Sequence, residues 1–253
     1  MRPRTMGPWW LAAVVLAASG CASCLNPVAL PTADQASQCA ALPEACRNHV
    51  YVFLIDGPDP FDLANLGGVR QALISLGYIK TYCGQCWHAG YFQKEICRIH
   101  QEDESARFVV MGFSLGANAA RDVAAGVQAE DVTIDLLVYC GGVGLGDDPK
   151  NRPGNATCVV NIVGGGADAL APALDGVNNM QLSDTSHFGS PTHASTLEML
   201  VRQLTVIASL APVVDLRPTA EPSDSPSAVE RLNQPHDEWD FLQPTPPMPP
   251  PAP

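Results

Sequence analysis

The residues best placed for chemistry are Gly112-Phe113-Ser114-Leu115-Gly116. An apolar run, Arg107-Phe-Val-Val-Met111, leads into them, and an alanine-rich segment from Ala117 follows at once. The order predicts a strand, a sharp turn and a helix, with the serine exposed on the turn. Glycines at 112 and 116 suit such a turn, because strand and helix approach too closely there for side chains. A serine so placed is a candidate nucleophile, provided that other residues supply a base and donors for an oxyanion. A second chemical pattern lies at Cys83-Gly-Gln-Cys86, between a predicted strand and a predicted helix. That is the setting of a redox thiol pair. With Cys97 and His100 it also gives a three-cysteine, one-histidine spacing that could hold zinc. A structural disulfide or buried free thiols is the bland reading of these cysteines and the preferred one. Cys140 and Cys158 read as small buried apolar residues or a local bridge.

The surrounding elements must position these groups. His49 to Asp56 is a continuous β-branched and aromatic run, the pattern of a buried parallel strand. A turn over 57–62 follows, then a helix from Leu63 to Leu76 and a strand from Tyr78 to Tyr82. His88 to Gln101 has helical spacing, and Ala117 to Ala125 is the helix after the serine. Further strands are expected at Ile134–Cys140, Cys158–Val163 and Asn179–Leu182. A last helix spans Pro191 to Leu210, with Ser190 as its N-cap. Strands and helices that alternate in this way make an α/β fold with a mainly parallel central sheet flanked by helices.

Over residues 48–211 the chain resembles the α/β-hydrolase superfamily. The resemblance rests on Tyr51-Val-Phe-Leu-Ile-Asp-Gly57, the serine turn, an acid just after a late strand and a histidine after the last one. It implies the chain order serine, acid, histidine. Of the histidines after Ser114, His187 sits between the last strand and the last helix, where the family places its base. His193 is the alternative, and its bland reading is a surface or capping histidine. The acid that orients the imidazole would be Asp168, a few residues past strand 158–163, with Asp175 as competitor. Leu115 N–H would be one oxyanion donor. The second would come from the loop after the first strand, where Pro58 and Pro60 have no N–H. That leaves Gly57, Asp59 or Phe61. The 17 residues from Gly141 to Thr157 leave no room for a cap domain, so the site should be open, as in cutinase-like and small esterase designs.

Composition bounds the rest. The formal net charge is −12, which argues against nucleic acid as a partner. Arg2 and Arg4, an apolar stretch from Trp9 to Ala18, and Ala18-Ser-Gly-Cys21 read as a signal peptide over residues 1–20. The last four resemble a bacterial lipobox, which implies lipidation of Cys21 and a membrane anchor in the cell envelope; ordinary secretion is the alternative. Nine cysteines fit an oxidising compartment, so disulfides are expected. Cys39 and Cys46 could close a small loop. Residues 21–47 read as a tether and lead-in. Residues 212–253 hold 12 of the 23 prolines and read as a solvated, partly polyproline-II tail. The expectation is a monomeric, exported serine hydrolase of esterase, lipase or thioesterase type, acting on a small-molecule or lipid ester without a cofactor. A non-catalytic envelope binding or scaffold protein, and a zinc or redox module at 83–100, are the other classes.

Overall fold

The computed structural model describes residues 26–145, 148–165 and 172–213. The chain divides into two units, Met1–Leu216 and Arg217–Pro253, and every described residue belongs to the first. Its elements in chain order are α1 (Ala33–Ala41), α2 (Glu44–Asn48), β1 (Val50–Asp56), α3 (Leu66–Ser75), β2 (Thr81–Gln85) and α4 (Ala89–Glu102). Then come β3 (Arg107–Phe113), α5 (Gly116–Gly126), β4 (Leu136–Cys140), β5 (Val159–Gly164), β6 (Asn178–Leu182) and α6 (Ala194–Ser209).

The six strands form one sheet in the order β2-β1-β3-β4-β5-β6, and every neighbouring pair is parallel. All seven residues of β1 are buried. The continuous apolar run is therefore explained: a central strand with helices on both faces has no solvent side on which to place polar residues. Alternate β1 residues serve the two layers. Val50, Val52 and Leu54 join a core with Leu66, Val69 and Leu73 of α3 and Leu197, Leu200 and Leu204 of α6. On the other face Phe53 meets Phe92 of α4 edge-on, with centroids 5.3 Å apart. Each such apolar side chain, fully buried, contributes about 1.5–3 kcal/mol. The architecture is the expected α/β fold, a parallel sheet flanked by helices.

Three local expectations differ from the structure. The lead-in is not a simple tether. Thr32 and Gln35 form a reciprocal capping box that starts α1. Cys39 then packs into the core, its sulfur 3.4 Å from Thr205 Oγ1. Strand β2 runs over 81–85 rather than 78–82. Tyr78 is instead a fully buried plug whose N–H closes α3 onto Leu73. The last helix starts at Ala194, and its cap is His193 rather than Ser190. Pro191 lies in the preceding turn, where Ser190 Oγ donates to the carbonyl of His187.

Candidate active site

In a doubly wound sheet the crevice for a ligand opens at the carboxyl ends of strands whose connections leave in opposite directions. Here that place lies between β1 and β3, which are hydrogen-bonded neighbours while β2 sits on the outer side of β1. The chain leaves β3 through Ser114 and leaves β1 through Asp56-Gly57. Both candidate stretches therefore meet at one point.

Ser114 has φ +55°. The other non-glycine residues with positive φ among the described ones are Asp62, Asn65 and Asp131. Asp and Asn tolerate this region, because a short polar side chain can bond locally; serine does so at a cost of order 1–3 kcal/mol. The strain is held by packing on both sides. A Cβ on Gly112 would stand 2.2 Å from the Gly116 carbonyl oxygen, and one on Gly116 would stand 2.2 Å from that of Ile55. The Ser114 N–H is anchored to the Cys140 carbonyl at 2.9 Å. Leu115 is the N-cap of α5, so its amide stands at the positive end of a helix. Gly57 lies against this turn: a Cβ there would be 3.2 Å from Leu115 N, Phe113 O and Ser114 Cβ alike.

His187 comes to the same edge. It is buried, its ring 4.7 Å centroid to centroid from that of Phe113, the residue before the serine. Its Cε1 and Nδ1 lie over Gly141, where a Cβ would meet both at 2.7 Å. That glycine has φ +59°, so both its backbone and its bareness are required for the imidazole to sit there. Phe188 meets the His187 ring edge-on at 5.3 Å. His193 is occupied elsewhere: its Nδ1 accepts from the Ser195 N–H, and its Nε2 pairs with Asp184 at 3.3 Å. The structure thus sets Gly57 against the Ser114 turn and His187 beside Phe113 and Gly141 at the same sheet edge, and leaves His193 as a helix cap.

The two candidate acids part company as well. Asp175 is exposed and precedes β6, at the amino edge of the sheet, where its carbonyl accepts from Arg152. Ser114 is at the carboxyl edge, so Asp175 cannot orient a base beside it. Asp168 lies outside the described residues, as does Cys21. The strand that leads toward Asp168 ends against the histidine, with a Cβ on Gly164 3.1 Å from the Ser186 carbonyl oxygen and 3.4 Å from His187 Cα.

The loop after β1 is acidic in space as well as in sequence. Asp56 is 3% exposed, and its carboxyl is pushed up to about 7, first by burial and then by Asp59, with the adjacent Gly57 N–H acting in the opposite sense. Burial and Asp59 also raise Asp62. Asp59 Oδ2 accepts from the Ala64 N–H at 2.7 Å. The convergence of these three carboxylates escaped the sequence, in which 57–62 reads as a turn.

The cysteine readings need correction. All seven described cysteines are free thiols, so the expected disulfides, Cys39 to Cys46 included, are not formed among them. Cys46 Sγ donates to the Ala211 carbonyl instead. Cys83, Cys86, Cys97 and His100 do not assemble into a metal site. Cys83 lies midway along β2 and Cys86 just past its carboxyl end, while α4 carries His100 back to a recess with Arg107 and Asp135 at the amino edge. Helical rise alone puts roughly 18 Å between positions 88 and 100. The redox reading also loses its basis. Cys83 is exposed at the surface, yet desolvation by the chain packed around it, then the Asp56 and Asp62 carboxylates, push its thiol up to about 12, opposite to what a reactive thiolate requires.

No family model and no curated protein sequence matches the chain. Among solved structures, it is similar to a predicted CIB-like hydrolase from Thermoplasma acidophilum. The identity is 13% and the TM-score 0.41, over 63% of this chain and 86% of that one.

Proposed function

We propose that the chain is a serine hydrolase that cleaves an ester or thioester through an acyl-enzyme on Ser114. The observation that carries this reading is the strained, non-Asx left-handed backbone at Ser114, at the β1/β3 crevice with His187 stacked on the preceding residue. Strain of this kind persists where the surrounding structure holds it, and it presents the hydroxyl away from the strand.

In this reading Ser114 Oγ attacks the carbonyl carbon and His187 takes its proton. The Leu115 N–H holds the oxyanion. Collapse expels the alcohol or thiol with the proton returned by His187. Water, activated by the same imidazole, then releases the acid. Asp168 is proposed to orient His187. Phe61, Trp87, Leu115 and Phe188 are large exposed apolar residues that all follow carboxyl ends of strands or flank His187. They favour an ester with a sizeable apolar part. Export, with Cys21 lipidated as the link to a membrane, remains part of the proposal and rests on residues 1–21 alone.

A second reading draws on the loop after β1: Pro58 and Pro60 have no N–H to offer an oxyanion, and the loop carries Asp56, Asp59 and Asp62 close together. A protein with this loop could bind an ester-like ligand without turning it over. Fluorophosphonate labelling separates the two. The hydrolase requires stoichiometric labelling that vanishes in Ser114→Ala and falls about 10³-fold or more in His187→Ala. A folded chain that takes up no label is the outcome that favours binding alone.

A further inference from the structure

The turn after β1 places Asp56, Asp59 and Asp62 three residues apart, and each presents a carboxylate oxygen within 4.8 Å of the other two. The seven ion pairs among the described residues include none of them. Three carboxylates so close repel one another, and proximity alone identifies no ligand. The second observation does. Asp56 is 3% exposed, and its Oδ1 is fully buried with no hydrogen-bond partner. A buried carboxylate oxygen without a donor costs free energy that native structures usually offset with a partner, a water or an ion.

We propose that Asp56, Asp59 and Asp62 form a binding site for a hard divalent cation of the calcium type, at the carboxyl end of β1 beside Ser114. The donors are all oxygens, the set that Ca²⁺ and Mg²⁺ prefer and that soft metals do not. Oxygens that share one ion at about 2.3–2.6 Å stand at most about 5 Å apart, so these three are near enough to hold it together. Three protein carboxylates suit Ca²⁺, which takes six to eight oxygens, better than Mg²⁺, which keeps several of its waters. The other ligands would be waters or the carbonyls of this loop. Binding explains the orphaned oxygen and the crowding of like charge together. It also has a consequence for chemistry that rests on the serine-hydrolase reading. Gly57 adjoins Leu115 N and Ser114 Cβ, so an uncompensated acidic loop would oppose an oxyanion developing there. A bound cation removes that opposition.

The site is tested on the full chain, stripped with EDTA and titrated with Ca²⁺ and separately with Mg²⁺ by calorimetry. One saturable Ca²⁺ equivalent, bound more tightly than Mg²⁺ and raising the thermal midpoint, is the expected result. Asp59→Asn and Asp62→Asn should each weaken Ca²⁺ about tenfold or more. Both variants should fold. An Asn oxygen still accepts from the Ala64 N–H, and Asn tolerates φ +50° at position 62. No saturable binding of either ion at millimolar concentration overturns the proposal, and so does binding that both variants retain unchanged. The readout is binding and stability, so its failure leaves fluorophosphonate labelling of Ser114 untouched, and the two ideas fall separately.

Discussion

At the scale of single residues, the site depends on what is missing from side chains as much as on what is present. Gly57 has no unusual φ, so its reason for being glycine is the room it leaves. A methyl group there would stand 3.2 Å from Leu115 N, Phe113 O and Ser114 Cβ, two of them backbone atoms that cannot swing aside. Gly57→Ala should therefore shift the serine turn by a few tenths of an ångström, with little change in stability. The expected outcome is a labelling rate lower by about tenfold or more, with a thermal midpoint within about 3 °C of wild type. A variant that labels normally would show that the turn gives way more easily than its packing implies. The serine was legible in sequence because glycine at 112 and 116 leaves a fixed five-residue mark. The acidic cluster was not. Asp56, Asp59 and Asp62 stand three residues apart, but Pro58 and Pro60 between them read as a turn rather than a helix, so only the folded loop brings their oxygens together.

At the scale of elements, β1, β3, α4 and α5 were legible. Buried strands must be continuously apolar, and amphipathic helices must repeat, so their sequences carry the period. The short elements were not. Helix α1 is nine residues with no large apolar side chain, and its signal was the Thr32-x-x-Gln35 capping box rather than a stripe. Helix α6 shows how capping separates two histidines that sequence left as alternatives. His193 accepts from Ser195 N–H at the helix start, whereas His187 lies over Gly141 at the strand ends. His193→Ala should then cost about 1 kcal/mol, the usual worth of an N-cap, with labelling of Ser114 unchanged. Chemical denaturation and label kinetics on the same protein read both. A large loss of labelling in His193→Ala, with His187→Ala unaffected, would exchange their roles.

At the scale of the whole molecule, the two edges of the sheet do different work. The carboxyl edge stores backbone strain at Ser114 and a buried oxygen without a hydrogen-bond partner at Asp56, and both cost stability. The amino edge carries a satisfied polar knot. Asp103 accepts from His49 Nδ1–H at 2.9 Å, from the Tyr51 hydroxyl at 3.1 Å and from the Ser105 N–H at 3.0 Å. Lys80 in turn donates to the Tyr51 oxygen at 2.6 Å. His49 and Asp103 are 1% and 6% exposed, and they tie the start of β1 to the end of α4. Removing one partner of such a buried pair leaves the other desolvated and uncompensated, which costs about 3–5 kcal/mol. Asp103→Ala should accordingly lower the thermal midpoint by on the order of 10 °C. Asp103→Asn, which keeps an acceptor for the Tyr51 hydroxyl, should lose less. Yet the knot stands at the far end of β1 from Gly57 and Ser114, and β1 is rigidly paired to β2 and β3 along its length. Measured well below the melting transition, the labelling rate of Ser114 in Asp103→Ala should stay within about twofold of wild type. If labelling fell in step with stability, strain at one edge would be balanced directly by bonding at the other, and the sheet would be a coupled lever rather than a scaffold.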